Sequence, residues 1–260
     1  MAKVTDRYDN KNLINLAKEK YVEKKKSSIP TELVQLPSQG KIYPKGHVLR
    51  SGVIEIRHMT AYDEDILTNL SYIREAIVLD KLIESITIED INVSELASCD
   101  VEAIILTSRI LSYGSDYPVT VTDPNTNNVI NRTIDLTKVQ YKDFDLATDE
   151  NGESSFNCSD NSVIKFSYCL KPDKDTSNER LISSFLLRTI REVDGKRTFE
   201  EIDEFLKYKF PLADSRKFQK YVSENAPAIL KEYEFEGEDG GTFTAGFQFG
   251  PELLWPETNW

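Results

Sequence analysis

The sequence has only two histidines and three cysteines among its 260 residues, and both shortages reduce the number of functional classes that the protein could belong to. Cys99, Cys158 and Cys169 are widely spaced and include no CxxC pair. A disulfide framework or a zinc site needs paired or closely spaced ligands, so we expect reduced thiols and no resident metal. No apolar run is long enough to cross a bilayer, and the polar start is unlike a signal peptide. These features predict a protein that is made and used in cytoplasm.

Groupings that could carry catalysis are also lacking. His47 lies in a loop flanked by proline and glycine, and His58 ends a predicted strand; neither has a glycine-bounded serine or a cysteine beside it. The glycine-rich stretch at 237–246 has no Lys-Ser/Thr pair to hold a phosphate, and we interpret it as a flexible connector. No loop has the ligand pattern of an EF-hand. We therefore expect no enzyme activity, no cofactor and no metal site.

Positive charge is scarce overall but concentrated at the N-terminus. The formal net charge is -12, which disfavours nucleic-acid binding because that needs a basic face. Residues 1–26 nevertheless hold eight lysines and arginines against four acids. A basic segment on an acidic body could dock on a neighbouring copy or on an oppositely charged partner, or it could simply aid solubility.

The hydrophobic patterns divide the chain into four parts and predict an α+β fold. Residues 1–29 form a basic amphipathic arm, and residues 30–172 form an α+β domain in which helices pack with a small antiparallel sheet of hairpins. Residues 173–235 form a mainly helical region. Residues 236–260 form an acidic and aromatic tail, which must pack on its own body or on a partner because exposed aromatic side chains are unfavourable.

The first half of the α+β domain alternates loops, a strand and helices. Prolines and a glycine predict a rigid loop at 36–44, and β-branched residues predict a strand at 53–58. Thr60 and Asp63 resemble a capping box, which accounts for a carboxylate cluster there without any metal. A helix is expected over 71–85, with Ile73, Ile77 and Leu82 buried and Leu79 as a further candidate. We expect Asp100 to cap another helix at 101–112, which Gly114 ends.

Two hairpins follow. Strands at 117–122 and 129–136 flank a polar loop, and strands at 154–158 and 163–170 flank another, so one small antiparallel sheet is expected. A polar joint is predicted at 171–178.

The C-terminal region is predicted to be helical. Helices are expected over 179–193, after Thr198 in a capping box with Glu201, and over 215–224 following Pro211.

Three sequence blocks resemble the baseplate protein family of T-even-type tailed bacteriophages. Together they cover about residues 30–140. The blocks are Leu36-Pro37-Ser38-x-Gly40-x-x-Tyr43-Pro44, then Met59-Thr60-x-x-Asp63-Glu64, then Arg109-Ile110-x-Ser112-Tyr113-Gly114-x-x-Tyr117, with Asp135-Leu136 after the first hairpin. Some relatives carry a Cys-Pro-x-Cys turn where this chain has Asp123-Pro124-Asn125-Thr126, so a zinc site does not carry over.

The resemblance implies a hub-region baseplate protein or a factor that helps assemble the hub, and it does not decide between the two. Our leading hypothesis is a non-enzymatic assembly factor for the baseplate hub, acting in the host cytoplasm. Its partners would be phage baseplate hub proteins, with self-association as a further expectation, and neither nucleic acid nor membrane. A permanent hub subunit in the virion baseplate is the alternative. An accessory cell-wall hydrolase is the alternative of another class, although no residue pattern favours it. As candidate partner contacts we select Tyr43, Tyr113, Phe249 and Trp255, for each of which core packing is the competing explanation.

Overall fold

The computed structural model describes residues 29–168, 181–237, 240–249 and 253–255. Nearly all of the predicted basic arm lies outside the described residues, as do the polar joint at 171–178 and Cys169. The described part combines helices with small antiparallel sheets, which confirms the predicted α+β class.

A two-stranded sheet opens the fold. Strand β1 (Thr31–Gln35) pairs antiparallel with β2 (Val53–Arg57), and Ile54 and Ile56 of β2 are fully buried while the alternate side chain Glu55 is not. The loop between the strands lies where the prolines and Gly40 predicted it. The strand prediction at 53–58 is therefore confirmed.

Four helices follow β2: α1 (Ala61–Leu67), α2 (Leu70–Arg74), α3 (Val78–Ile86) and α4 (Ser98–Tyr113). The capping box of Thr60 and Asp63 begins α1, as predicted.

The prediction of one helix over 71–85 is wrong. Ala76 adopts a positive φ of 53°, which a continuous α-helix cannot contain, so α2 and α3 are separate. Ile73 is consequently 44% exposed and Leu79 is 37% exposed, whereas Leu82 is buried as predicted.

The predicted cap at Asp100 is also wrong. Helix α4 begins three residues earlier than predicted, with Ala97 as its N-cap, so Asp100 lies inside the first turn and is fully buried. Gly114 does end the helix, with a φ of 86°.

Both predicted hairpins are confirmed, but they belong to different sheets. Strands β3 (Asp116–Thr122) and β4 (Val129–Asp135) form one, and β5 (Ser154–Asn157) and β6 (Val163–Phe166) lie in another. The third strand of that second sheet is β7 (Ile190–Val193), which pairs with β6.

The prediction of a helix through residue 193 is therefore wrong. Helix α5 (Leu181–Thr189) ends where Ile190 pairs with Phe166, because β-branched side chains suit the sheet edge. Strand β7 thus joins the C-terminal part to the sheet of the preceding part.

Two further helices, α6 (Phe199–Tyr208) and α7 (Leu212–Asn225), support the helical prediction for residues 173–235 in part, since strands also lie within that range. The capping box of Thr198 and Glu201 is present, and Pro211 is the N-cap of α7. Three short 3₁₀ helices lie at Val48–Ser51, Val93–Glu95 and Leu136–Lys138.

The interpretation of the glycine-rich stretch as a flexible connector is wrong. Strands β8 (Glu232–Glu236) and β9 (Thr242–Gly246) form a hairpin, closed by a hydrogen bond of 2.7 Å from the Gly237 amide to the Gly241 carbonyl. Phe243 and Phe247 are buried in the common core, so the aromatic residues described here pack on their own chain.

Candidate functional site: buried polar contacts and the exposed apolar surface

The first sequence block is fixed by the carboxylate of Asp100. Its oxygens accept hydrogen bonds from the Ser38 amide at 3.1 Å, the Ser38 hydroxyl at 2.7 Å and the Tyr43 hydroxyl at 2.5 Å. Burial raises the pKa of Asp100, although these hydrogen bonds oppose the shift, and burial together with the Asp100 charge raises the pKa of Tyr43. The loop at 36–44 is thereby attached to α4.

The second block surrounds the carboxylate of Asp63. Arg57 donates to both of its oxygens, at 2.6 and 2.9 Å, and Ser85 and the Thr60 amide each donate at 2.7 Å. Burial alone would raise the pKa of Asp63, but the hydrogen bonds from Arg57, Ser85 and Thr60 outweigh it and hold that pKa below its usual value. The sequence predicted the cap but not the buried ion pair with Arg57.

The third block forms the junction between α4 and β3. Arg109, which is 4% exposed, donates to the Gly114 carbonyl at 2.7 Å and to the Asp116 carbonyl at 3.2 Å. Its guanidinium carbon lies 5.2 Å from the centre of the Tyr113 ring. A cation at the end of a helix also interacts favourably with the helix dipole. All three blocks therefore contribute buried polar contacts that position loops and helices.

The four candidate partner contacts occupy different environments. Tyr43 is 3% exposed, whereas Tyr113 is 42% exposed. Phe249 is half-buried, with its ring centre 6.1 Å from that of Tyr117. Trp255 is also half-buried, and its Nε1 donates to the Leu67 carbonyl at 3.1 Å. No ring pair between described residues joins two of the four, and their role as contacts stays a prediction.

Several exposed apolar residues were not selected from the sequence. One group, here called the α1–α2 surface, consists of Tyr62, Leu70 and Ile73, which are 67%, 66% and 44% exposed. A second group, named the α6–α7 surface after the helices that carry it, consists of Tyr208 and Leu212, which are 80% and 65% exposed. Phe199 is 62% exposed but lies nine residues from Tyr208, on the opposite side of α6.

Among the remaining reactive side chains, His47 makes structural contacts and the two described cysteines are not in disulfides. His47 stacks on Tyr43 with a ring separation of 5.0 Å, its Nδ1 accepts from the Leu49 amide at 3.1 Å, and its Nε2 lies 3.2 Å from Glu95. Cys99 and Cys158 are free thiols, and burial raises the pKa of both. Within the described ranges, no group of three or more His, Cys, Asp or Glu side chains is arranged to hold a metal ion.

The fold defines a small α+β protein whose loops are fixed by buried polar contacts and whose helices leave large apolar side chains in solvent. The family described as T4 bacteriophage base plate protein matches the chain over residues 29–237. This chain belongs to that family, which confirms the resemblance drawn from the three blocks. No curated protein and no solved structure matches it. Among the helices that the structure describes, none has the length and apolar character of a membrane span.

Proposed function

We propose that this baseplate protein is an assembly factor for the hub, which binds hub subunits in the host cytoplasm and holds them in register without catalysing a reaction. The observation that carries the proposal is the exposure of large aromatic and aliphatic side chains on the α1–α2 and α6–α7 surfaces. Single exposed apolar residues are ordinary, but aromatic residues are enriched among those that dominate binding energy at protein interfaces.

Charge supports protein partners over nucleic acid. The net charge of -12 opposes binding to phosphate backbones, while residues 1–26 carry an excess of positive charge that could attract an acidic protein partner. In this proposal that segment and the exposed aromatic residue Tyr113 add contacts to the hub. A factor that leaves after assembly needs interfaces that separate readily, smaller than the roughly 2,000 Å² or more of obligate assemblies.

The decisive experiment compares finished particles with infected-cell extracts. Quantitative mass spectrometry of washed particles should find no stoichiometric copies of the chain. Extracts from cells infected by a phage that lacks the gene should accumulate unassembled hub parts. Stoichiometric copies in washed particles would instead identify a permanent hub subunit, and normal hub assembly without the gene would reject both roles.

A surface variant tests which side chains are involved. Changing Tyr208 and Leu212 together to serine should weaken binding to purified hub subunits by at least tenfold, because a residue dominant in binding contributes about 2 kcal/mol or more. Val129, which is 69% exposed on β4, provides the matched control as Val129→Ser. Equal binding by the double variant and the control would exclude the α6–α7 surface.

Purified protein assayed on cell-wall substrate tests the hydrolase alternative, which measurable turnover would favour.

A further inference from the structure

The N-terminal chain enters the described fold beside helix α1. The Pro30 carbonyl accepts a hydrogen bond of 3.0 Å from the His58 amide, and α1 begins three residues after His58. Seven helical residues span about 10 Å, so the whole of α1 lies within about 25 Å of Pro30. The basic arm, residues 1–29, is therefore joined to the fold next to the α1–α2 surface.

The α1–α2 surface is acidic as well as apolar. Helices α1 and α2 contain a single cation, Arg74, and the first exposed residue after them is an acid, so that this surface carries three exposed carboxylates, those of Glu64, Asp65 and Glu75. None of the three forms an ion pair with another described residue. Asp65 follows Tyr62 by three residues, a spacing that places an exposed acid beside an exposed aromatic ring on α1. The surface therefore suits a partner that is both apolar and basic.

The sequence of the basic arm has the complementary pattern. Its apolar residues recur at helical spacing, at Leu13, Ile14, Ala17 and Tyr21, and residues 1–26 hold eight lysines and arginines against four acids. The nine residues from Tyr21 to Pro30 reach up to about 30 Å, which is enough to bring this apolar stripe to α1. A short linker also gives the arm an effective concentration of about millimolar at this surface, so a contact too weak to join separate molecules can form within one chain.

We propose that the basic arm docks on the α1–α2 surface of its own chain, with its apolar stripe against the exposed apolar side chains and its lysines beside Glu64, Asp65 and Glu75. The contact itself is a property of the free protein. Its consequence for assembly rests on the proposed function: a hub subunit that binds the α1–α2 surface must displace the arm, which is then available for its own contacts with the hub.

Carbodiimide cross-linking of the purified full chain tests the contact, because this reagent joins a lysine amine only to a carboxylate that touches it. Peptide mass spectrometry should find amide links from the lysines at 18–26 to the three carboxylates of the α1–α2 surface. Glu200 and Glu232, which are also exposed, are the controls and should be linked less than about a tenth as often. In a mixture of ¹⁵N-labelled and unlabelled protein, links within one chain never combine the two isotopes.

A pair of arm variants tests the apolar part of the contact. Leu13→Ser combined with Ile14→Ser should lower the yield of these links at least about fivefold, because two apolar side chains no longer contribute to docking. Asn12→Ser combined with Asn15→Ser is the matched control in the same segment and should leave the yield unchanged. Equal yields from the two double variants would overturn the role of the apolar stripe.

The outcomes separate this inference from the proposed function. Links to Glu200 and Glu232 as frequent as those to the α1–α2 surface would overturn the docking, and mixed-isotope links would assign the arm to a second copy and overturn the contact within one chain. Neither result bears on the assembly role, since no hub subunit is present. If the links form but an added hub subunit that binds the chain does not reduce them, the displacement of the arm is overturned.

Discussion

The hydroxyl oxygen of Tyr43 lies 2.5 Å from Oδ2 of Asp100, although 57 residues separate them in the sequence. The same hydroxyl accepts a hydrogen bond of 3.1 Å from the Ala97 amide, the N-cap of α4. One tyrosine side chain thus joins the loop at 36–44 to both the backbone and the carboxylate at the start of the longest helix described.

Tyr43→Phe should lower the free energy of unfolding by about 2–3 kcal/mol, because it removes a hydrogen bond to a buried carboxyl group and leaves the Ala97 amide unpaired. Urea unfolding followed by circular dichroism measures this. Tyr62→Phe, at a side chain that is 67% exposed, is the control and should change stability by less than about 0.5 kcal/mol. Equal losses of unfolding free energy in the two variants would contradict a stabilising role for the hydrogen bonds of the Tyr43 hydroxyl.

Asp63→Asn should destabilise the protein by about 3–5 kcal/mol at pH 7, because it leaves Arg57 buried without its ion-pair partner. The folded-state pKa of Asp63 is lowered, so its contribution is fully present above the unfolded-state pKa of about 3.9 and is lost as pH falls through the folded-state value. The stability difference between wild type and variant should therefore shrink below about pH 4. Unfolding titrations between pH 3 and 7 measure it.

Asp65→Asn is the control for that titration, since Asp65 lies on an exposed position of the same helix. Its effect on stability at pH 7 should be below about 0.5 kcal/mol. A wild-type advantage over Asp63→Asn that grows on acidification would contradict the sign predicted for Asp63.

Gly40→Ala should be far more destabilising than Gly46→Ala. Both glycines have a positive φ, 72° and 89°, and so both variants bear a backbone cost of about 1 kcal/mol or slightly more. At Gly40 the added Cβ would also lie 2.5 Å from the Arg50 carbonyl oxygen, whereas at Gly46 it would meet nothing within 4 Å. The extra crowding adds about 1–3 kcal/mol, measured as the difference between the two urea midpoints. Equal midpoints would mean that the loop moves freely away from Arg50.

Leu254→Ala tests whether the last described residues belong to the core. Leu254 is 3% exposed, so the truncation should cost about 2–5 kcal/mol through lost burial and a new cavity. Leu33→Ala, at a side chain that is 67% exposed, removes the same atoms from solvent and should have little effect. A Leu254→Ala variant as stable as Leu33→Ala would show that this segment is dispensable for folding.

Local signals in the sequence predicted the elements that depend on neighbouring residues. The capping boxes at Thr60 and Thr198 are correct because a cap is completed within three positions of its helix start. Strand β2 and both hairpins are correct because alternation of side chains and turn residues is likewise local.

The wrong predictions concern residues whose local structure is determined by contacts with residues far away in the sequence. Ile190 fits a helical stripe, yet pairing with Phe166 places it in a sheet. Asp100 resembles a cap, yet the amide and hydroxyl of Ser38 and the hydroxyl of Tyr43 make a buried position favourable. The β8–β9 hairpin could have been found from the alternation of Glu232, Tyr233, Glu234, Phe235 and Glu236, which is the period of a strand.

The exposure of single side chains was harder to predict than the fold. Tyr43 carries the aromatic ring expected at an interface, but its burial depends on Asp100 from a distant helix. Exposure of Tyr208 depends on how α6 and α7 pack, which no residue pattern within either helix specifies. A cavity beside Tyr168 is assembled from four separate segments and has no signature in any one of them.

The hydrogen bond from Trp255 to the Leu67 carbonyl joins positions 188 residues apart. A ribosome that has just released the first helices has not yet synthesised the residues that cover them. The contact between Trp255 and the end of α1 can therefore form only after translation has passed residue 255. Chaperone demand on this protein should consequently be greatest during its synthesis, because long-range closure is slow and leaves apolar surface open to aggregation.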